Sequence, residues 1–346
     1  MKKAFARVLV ALASVAVTLA AADLILSWVN PNRFTPPNVH PFQKPALYRL
    51  SKVKELGYEH VPEAGVEIEG ISYRINKLGY RDIEHRVGKS GRRVVVVGDS
   101  VTFGWNLPLE DTYHYQARER LAALGLPIEV LAMGITGYNL VQDYYLIKER
   151  ALRFDPDLII LQVCLNDFEK TIKIRTDPEQ RFTLTQYGEV FVPYMVKKMG
   201  VSRWLMARSY LFKLLNLKLG SRPGAIDDGG RRDYYSKGSE TAVAYLRRTK
   251  DLLAGTACRF AAVVFPFRPK DMVRPYTTFY ETILEELRDL SIPTLDLSAA
   301  LNAAVDAPES MWVDYLHPSR AGNQRAAEAL ADFVLSILGE KANGPQ

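Results

Sequence analysis

Cysteine and histidine are scarce, with two of the former and five of the latter in 346 residues. Cys164 and Cys258 cannot build a disulfide-dense scaffold. Nor can they complete a structural zinc site, because His40, His60, His85, His114 and His317 show no ligand spacing. A strong charge of one sign is also lacking: 45 Lys+Arg stand against 39 Asp+Glu, a net of +6. No helix-turn-helix, zinc-finger or aromatic RNA-binding signature accompanies that mild excess, which argues against a nucleic-acid partner. At 48% hydrophobic and 24% charged the composition is that of a globular protein. The length allows one large or two small domains.

One long apolar run is present. Residues 1–7 are basic, and Val8–Val29 follows with Asp23 as its only charge. Two readings stand: a cleaved export signal, with Val8–Leu19 as its apolar region and Ala20-Ala21-Ala22 as the small-residue site, or an uncleaved anchor of roughly 20 residues extended through Leu24–Val29. Lys2, Lys3 and Arg7 keep the amino terminus in the cytoplasm in either case, so the remainder is expected outside it, anchored or released. Asn30–Pro45 carries five prolines, too many for a helix, and residues 30–91 are expected as stalk and lead-in.

From Arg92 to residue 340 short β-branched runs alternate with amphipathic stretches. Strands are expected at Arg92–Gly98, Ile128–Met133, Asp157–Cys164, Phe260–Phe267 and Thr294–Ser298. Helices are expected at Thr112–Leu124, Leu140–Phe154, Thr241–Ala254, Tyr276–Leu290 and Ser319–Leu338. This order implies an α/β, flavodoxin-like doubly wound parallel sheet. Cys164 at the end of one strand and Cys258 at the start of the next should lie too far apart to bridge. Residues 168–238 interrupt the alternation between the third strand and the next helix, far beyond a usual connection. They hold 14 Lys+Arg against 7 Asp+Glu, so the whole positive excess resides there. Arg203, Arg208, Lys213 and Lys218 recur every five residues and do not share one helical face. A helix packed over the sheet is therefore expected in preference to one lying on a membrane.

Gly98-Asp99-Ser100 falls at the carboxyl end of the first strand, the edge at which such sheets bind ligands. By itself the tripeptide could merely cap the next helix. A serine nucleophile needs a base, a group to orient that base and donors for an oxyanion. Asp314-Tyr-Leu-His317 offers base and orienter on one loop before the last helix. Gly137 and Gly134 after the second strand could supply backbone donors, and Asn166 after the third a side-chain amide.

Together these residues resemble the SGNH or GDSL hydrolase family. Gly98-Asp99-Ser100 is similar to its first block, Gly137 in Ile135-Thr-Gly137 to the second, Asn166 in Cys164-Leu-Asn166-Asp167 to the third, and Asp314-Tyr-Leu-His317-Pro to the last. The departure is Cys164, where the family usually has glycine. The resemblance implies Ser100, Asp314 and His317 as catalytic residues, with an oxyanion hole of Ser100, Gly137 and Asn166, and no metal or cofactor. It also implies a two-step acyl transfer on an acylated envelope glycan or lipid. An O-acyltransferase is the alternative, and a non-catalytic glycan-binding protein a more distant one. Ile75-Asn76-Lys-Leu-Gly79-Tyr80-Arg81 resembles a phrase found ahead of the first block in membrane-anchored relatives. Gly79 suggests a turn there and Tyr80 a packing residue.

Overall fold

The computed structural model describes residues 47–168, 228–302 and 311–340 apart from Glu69, Ser90 and Pro275. It also describes residues 173–176 and 182–185, Ser209, Leu211 and, nearer the amino terminus, Arg7, Ala13, Ser14, residues 17–25 and Trp28. The chain divides into two compact units, Met1–His40 with Tyr187–Asp233, and Pro41–Gln186 with Tyr234–Gln346.

The larger unit opens with two short antiparallel hairpins, β1 (Tyr48–Leu50) on β2 (Tyr58–His60) and β3 (Gly65–Ile68) on β4 (Ile71–Arg74). Next come β5 (Arg92–Gly98), α1 (Ser100–Phe103), α2 (Tyr113–Ala123), β6 (Ile128–Gly134), α3 (Leu140–Glu149) and β7 (Leu158–Cys164). A hairpin of β8 (Lys173–Thr176) and β9 (Phe182–Thr185) lies within the insertion. The chain then continues through α4 (Asp228–Ala254), β10 (Arg259–Phe265), α5 (Tyr276–Asp289), β11 (Thr294–Asp296), α6 (Ser298–Asn302) and α7 (Arg320–Leu338).

Five strands form one parallel sheet in the order β11-β10-β7-β5-β6. Counted along the chain this is the 2-1-3-4-5 order of flavodoxin-like sheets, so the expected α/β architecture is present. Helices cover both faces, so the central strands are buried almost from end to end and are mostly apolar. Val94–Val97 of β5 and all seven residues of β7 are buried. Each such aliphatic side chain contributes about 1.5–3 kcal/mol on burial. Along α7, Leu330 and Val334 are buried and Phe333 and Ile337 pack partly against the same core.

Most element boundaries fall within a few residues of expectation. The exception is α4, which begins at Asp228 rather than Thr241. A Cβ on Gly238 would sit 2.0 Å from the Phe168 carbonyl oxygen. Gly238 is the point where α4 passes against the turn that follows β7.

The hairpins of residues 47–74 are the larger surprise, since three- and four-residue strands leave almost no periodic signal. Tyr48, Tyr58, Tyr73 and Tyr80 are buried in the same core as the sheet. Tyr58 Oη donates to the Thr136 carbonyl at 2.5 Å, Tyr138 Oη donates to the Tyr58 carbonyl, and Gln142 Nε2 donates to the Leu56 carbonyl at 2.8 Å. The lead-in thus braces the turn that contains Gly137.

Cys164 and Cys258 are both free, the first buried and the second half-buried. In the register of β7 and β10, Cys164 lies opposite Phe265 while Cys258 precedes Arg259 at the far end, which explains why no bridge forms. Burial pushes the Cys164 thiol well up and that of Cys258 to about 12.

In the smaller unit, Asp23 accepts hydrogen bonds from Ser209 Oγ at 2.8 Å and from Leu211 N at 2.7 Å. Among the described residues no helix is long and apolar enough to cross a membrane. The expected membrane segment therefore has no support from the fold, and several of its residues between Val8 and Val29 lie outside the described ones. The stalk at 30–45 and the basic stretch at 203–218, apart from Ser209 and Leu211, also lie outside them.

Candidate active site

The carboxyl end of β5 lies between those of β6 and β7, at the point where the strand order reverses. A Cβ on Gly98 would lie 2.2 Å from Gln162 Oε1 and 2.7 Å from Thr102 Oγ1. Glycine is needed here because Gln162 reaches across from β7. Its Oε1 accepts the Asp99 N–H at 3.1 Å and the Thr102 hydroxyl at 2.9 Å. Asp99 Oδ1 caps α1 by accepting the Val101 N–H at 2.9 Å. Gly104 ends that single turn at φ 75°, a conformation that favours glycine. The tripeptide is therefore a helix cap, and it also presents a serine: Ser100 opens α1, where a first-turn N–H has no acceptor within the helix.

His317 comes from the loop that precedes α7. Asp314 Oδ1 accepts the Leu316 and His317 N–H groups at 2.8 and 2.7 Å, closing a tight turn. Asp314 Oδ2 pairs with His317 Nδ1 at 2.8 Å, and His317 Nε2 lies 2.9 Å from Ser100 Oγ. With Nδ1 donating to the carboxylate, Nε2 is left to accept the serine proton. Burial works to raise the Asp314 carboxyl, but the hydrogen bond and charge of His317 outweigh it and hold it below the usual range. The loop is fixed at several points. Arg268 N–H donates to the Tyr315 carbonyl at 2.9 Å, and Asn323 links the Pro318 carbonyl to the Tyr113 N–H, each at 2.9 Å.

Residues 96–325 match the GDSL-like lipase/acylhydrolase family. The chain belongs to it. The match covers about two thirds of the sequence and bears out the resemblance read from the four blocks. This acylhydrolase is accordingly a hydrolase of ester bonds.

It is similar to a catalytic mutant of the acetylxylan esterase Axe2 from Geobacillus stearothermophilus, at 15% identity over 75% of this chain and 99% of that one, with a TM-score of 0.46. A lipolytic G-D-S-L protein from Veillonella parvula is 14% identical over 70% and 97% of the two chains, with a TM-score of 0.43. The psychrotrophic esterase EstA from a Pseudoalteromonas species is 9% identical over 72% and 100%, with a TM-score of 0.43. No curated protein matches the acylhydrolase significantly.

The two remaining sequence-derived site residues lie on the turns after β6 and β7, the strands on either side of β5. Gly137 has φ 78° on the turn after β6. Asn166, on the turn after β7, is part-buried, its Oδ1 enclosed and without a hydrogen-bond partner in the structure. Gly134, the rival to Gly137, has a different reason to be glycine: a Cβ there would lie 2.3 Å from Phe103 N and 2.5 Å from the Thr102 carbonyl carbon. It lets α1 rest directly on the end of β6.

Sequence reading missed Gln162, and it singled out the phrase ending at Arg81 without assigning it a role. The signal for Gln162 was present, since it is the one polar residue in the otherwise apolar β7. Behind Ser100 lies a pair of buried acids. Burial raises Asp99, and it raises Asp143 well above the usual range, with the Asp99 carboxyl adding to the cost at Asp143. Neither oxygen of Asp143 has a hydrogen-bond partner in the structure. Among the described residues no group of His, Cys, Asp and Glu is placed to hold a metal ion.

Proposed function

We propose that this acylhydrolase is an exported serine esterase that removes acyl groups from an envelope glycan or lipid through Ser100, His317 and Asp314. The observation that carries the reading is His317, within hydrogen-bond distance of Asp314 on one ring nitrogen and of Ser100 on the other. His317 Nε2 takes the hydroxyl proton as Ser100 Oγ bonds to the ester carbonyl carbon, and Asp314 holds the ring and balances the imidazolium. The Ser100 and Gly137 N–H groups and the Asn166 amide receive the tetrahedral oxyanion. His317 returns its proton to the leaving alcohol. Water then attacks the acyl-enzyme by the same route in reverse and releases the acid.

Aromatic side chains beside the site favour a sugar-bearing substrate. Trp105 lies 6.2 Å from the His317 ring, and Tyr315, two residues before His317, is exposed and packs edge-on against Phe267. Such faces suit sugar C–H groups.

The chemistry is tested with a short-chain aryl ester. Ser100→Ala and His317→Ala each lower kcat by about 10³-fold or more with the fold intact; wild-type turnover by either variant refutes the assignment. Incubation with an acylated glycan followed by mass spectrometry reads out free acid for the esterase. An acylated acceptor sugar instead shows a transferase. Export is tested by a carboxyl-terminal reporter that is active only outside the cytoplasm, and an inactive, intact fusion overturns it.

A further inference from the structure

The phrase Ile75–Arg81 and the residue after it have a place in the fold that the chemistry above does not use. Asn76 shapes the turn: its Oδ1 accepts the Leu78 and Tyr80 N–H groups, both at 3.0 Å, and its Nδ2 donates to the Ile83 carbonyl at 2.8 Å. Gly79 sits at φ 90° within it. Asp82 anchors the turn in one direction, accepting from Ala132 N of β6 at 2.8 Å, His85 Nε2 at 2.9 Å and Arg118 Nη1 at 3.1 Å.

Arg81 points the other way and is 1% exposed. Its Nη1 donates to the carbonyls of Phe103 and Gly104 at 2.9 and 2.7 Å, and its Nη2 to those of Leu107 and Ser72 at 2.6 and 3.3 Å. Burial lowers the guanidinium to about 10, so it stays charged at neutral pH. Its carbon lies 4.4 Å from the Tyr73 ring centre, Tyr73 stacks on Phe103 at 5.6 Å, and the Tyr73 hydroxyl accepts the Asn106 N–H at 3.1 Å. Three of the four accepting carbonyls belong to the segment that leaves Ser100, and they include those at the carboxyl end of α1. A cation is favourable against such carbonyls, and one planar fork can fix several at once.

We infer that Arg81, backed by Tyr73, is a positioning residue that sets the orientation of the Ser100 turn and of Trp105 through the carbonyls that follow the serine. No part of it touches substrate. The inference rests on Ser100 being the nucleophile and adds to that reading a part for the lead-in segment. Lysine at 81 keeps the charge but gathers its three donors on one nitrogen, so it cannot span the four carbonyls that the two guanidinium nitrogens reach.

The test uses the full chain, an aryl ester and an alkyl fluorophosphonate. In the second reaction a bond forms from Ser100 Oγ to phosphorus and fluoride leaves. Arg81→Lys is expected to lower kcat and the phosphonylation rate together by about tenfold or more, because small misplacements of a reacting group are costly, while KM stays within about threefold. A phosphonylation rate within twofold of wild type overturns the inference, as does a loss that appears only at temperatures where the variant unfolds. If Arg81→Lys does not fold, Tyr73→Phe decides. A drop of about threefold in phosphonylation at unchanged melting temperature supports the bracket, and an unchanged rate refutes it. Ser100→Ala separates the two readings: if it is still phosphonylated, the nucleophile is wrong; if it is not, the Arg81 result stands by itself.

Discussion

A methyl group added at Gly134 should disable the enzyme without touching any reacting atom. The Cβ of Gly134→Ala would sit 2.3 Å from Phe103 N and 2.5 Å from the Thr102 carbonyl carbon, whereas ordinary contact begins at 3.4 Å. Both obstructing atoms are backbone, so no side chain can swing aside. The helix α1 must retreat by about 1 Å, and Ser100 moves with it. Overpacking of this kind costs about 1–3 kcal/mol of stability. A displacement near 1 Å between reacting groups costs roughly 10²-fold in rate, or about 2.7 kcal/mol of barrier.

The assay pairs kcat on a short-chain aryl ester with thermal unfolding. Gly125→Ala is the control, because Gly125 has φ 71° and open space around it, before the amino end of β6. Its strain costs about 1–2 kcal/mol, with kcat unchanged. A Gly134→Ala enzyme that keeps kcat within twofold refutes the reasoning. So does a Gly125→Ala enzyme that loses as much.

Two buried acids, Asp143 and Asp82, give opposite pH signatures. Asp143 titrates well above the usual carboxylate range in the folded state, so its unfavourable contribution grows as pH rises from its unfolded value near 3.9. Asp143→Leu should therefore raise the melting temperature at pH 8 more than at pH 4, and equal shifts would contradict this. Asp82 has the reverse sign. Burial works to raise it, but His85, His114 and the Ala132 N–H hold it below the usual range. Its contribution is present above the unfolded value and lost as pH falls through the folded one. Asp82→Asn removes the carboxylate that His85 and Arg118 share, leaving Arg118, among the described residues, only Glu119 as an acidic partner at 3.6 Å, and should cost about 3–5 kcal/mol at pH 7 by denaturant unfolding; a loss under 1 kcal/mol would show the network to be idle. Asn166→Ala should lower kcat by about 10²-fold with KM little changed, and an unaffected kcat removes it from the oxyanion hole. Cys164, buried with its thiol held protonated, should resist alkylation until the protein unfolds, whereas labelling in the native state would contradict its burial.

The parallel sheet was legible because a strand buried on both faces must be largely apolar, as in Val94–Gly98 and in Leu158–Cys164 with Gln162 as its one polar residue, and such runs recur after helices of matching period. Ser100 was legible through its place at a strand end, Asp314 and His317 through their spacing on the loop before the last helix, and all three through their match to the family's blocks. Residues 47–74 were not, because strands of three or four residues carry no usable period and their tyrosines are buried by partners far away in the chain. Arg81 and Gly134 were opaque for a related reason. A charged side chain reads as surface until the carbonyls that accept it are known, and a glycine reads as a turn until the backbone it lies against is known. Sequence by itself determined the order of strands and helices and the residues that reach the carboxyl edge. Only the tertiary structure decided that His317 meets Ser100 across 217 residues, and that the lead-in segment grips the turn on which the serine sits. Those contacts depend on separations that no local pattern encodes.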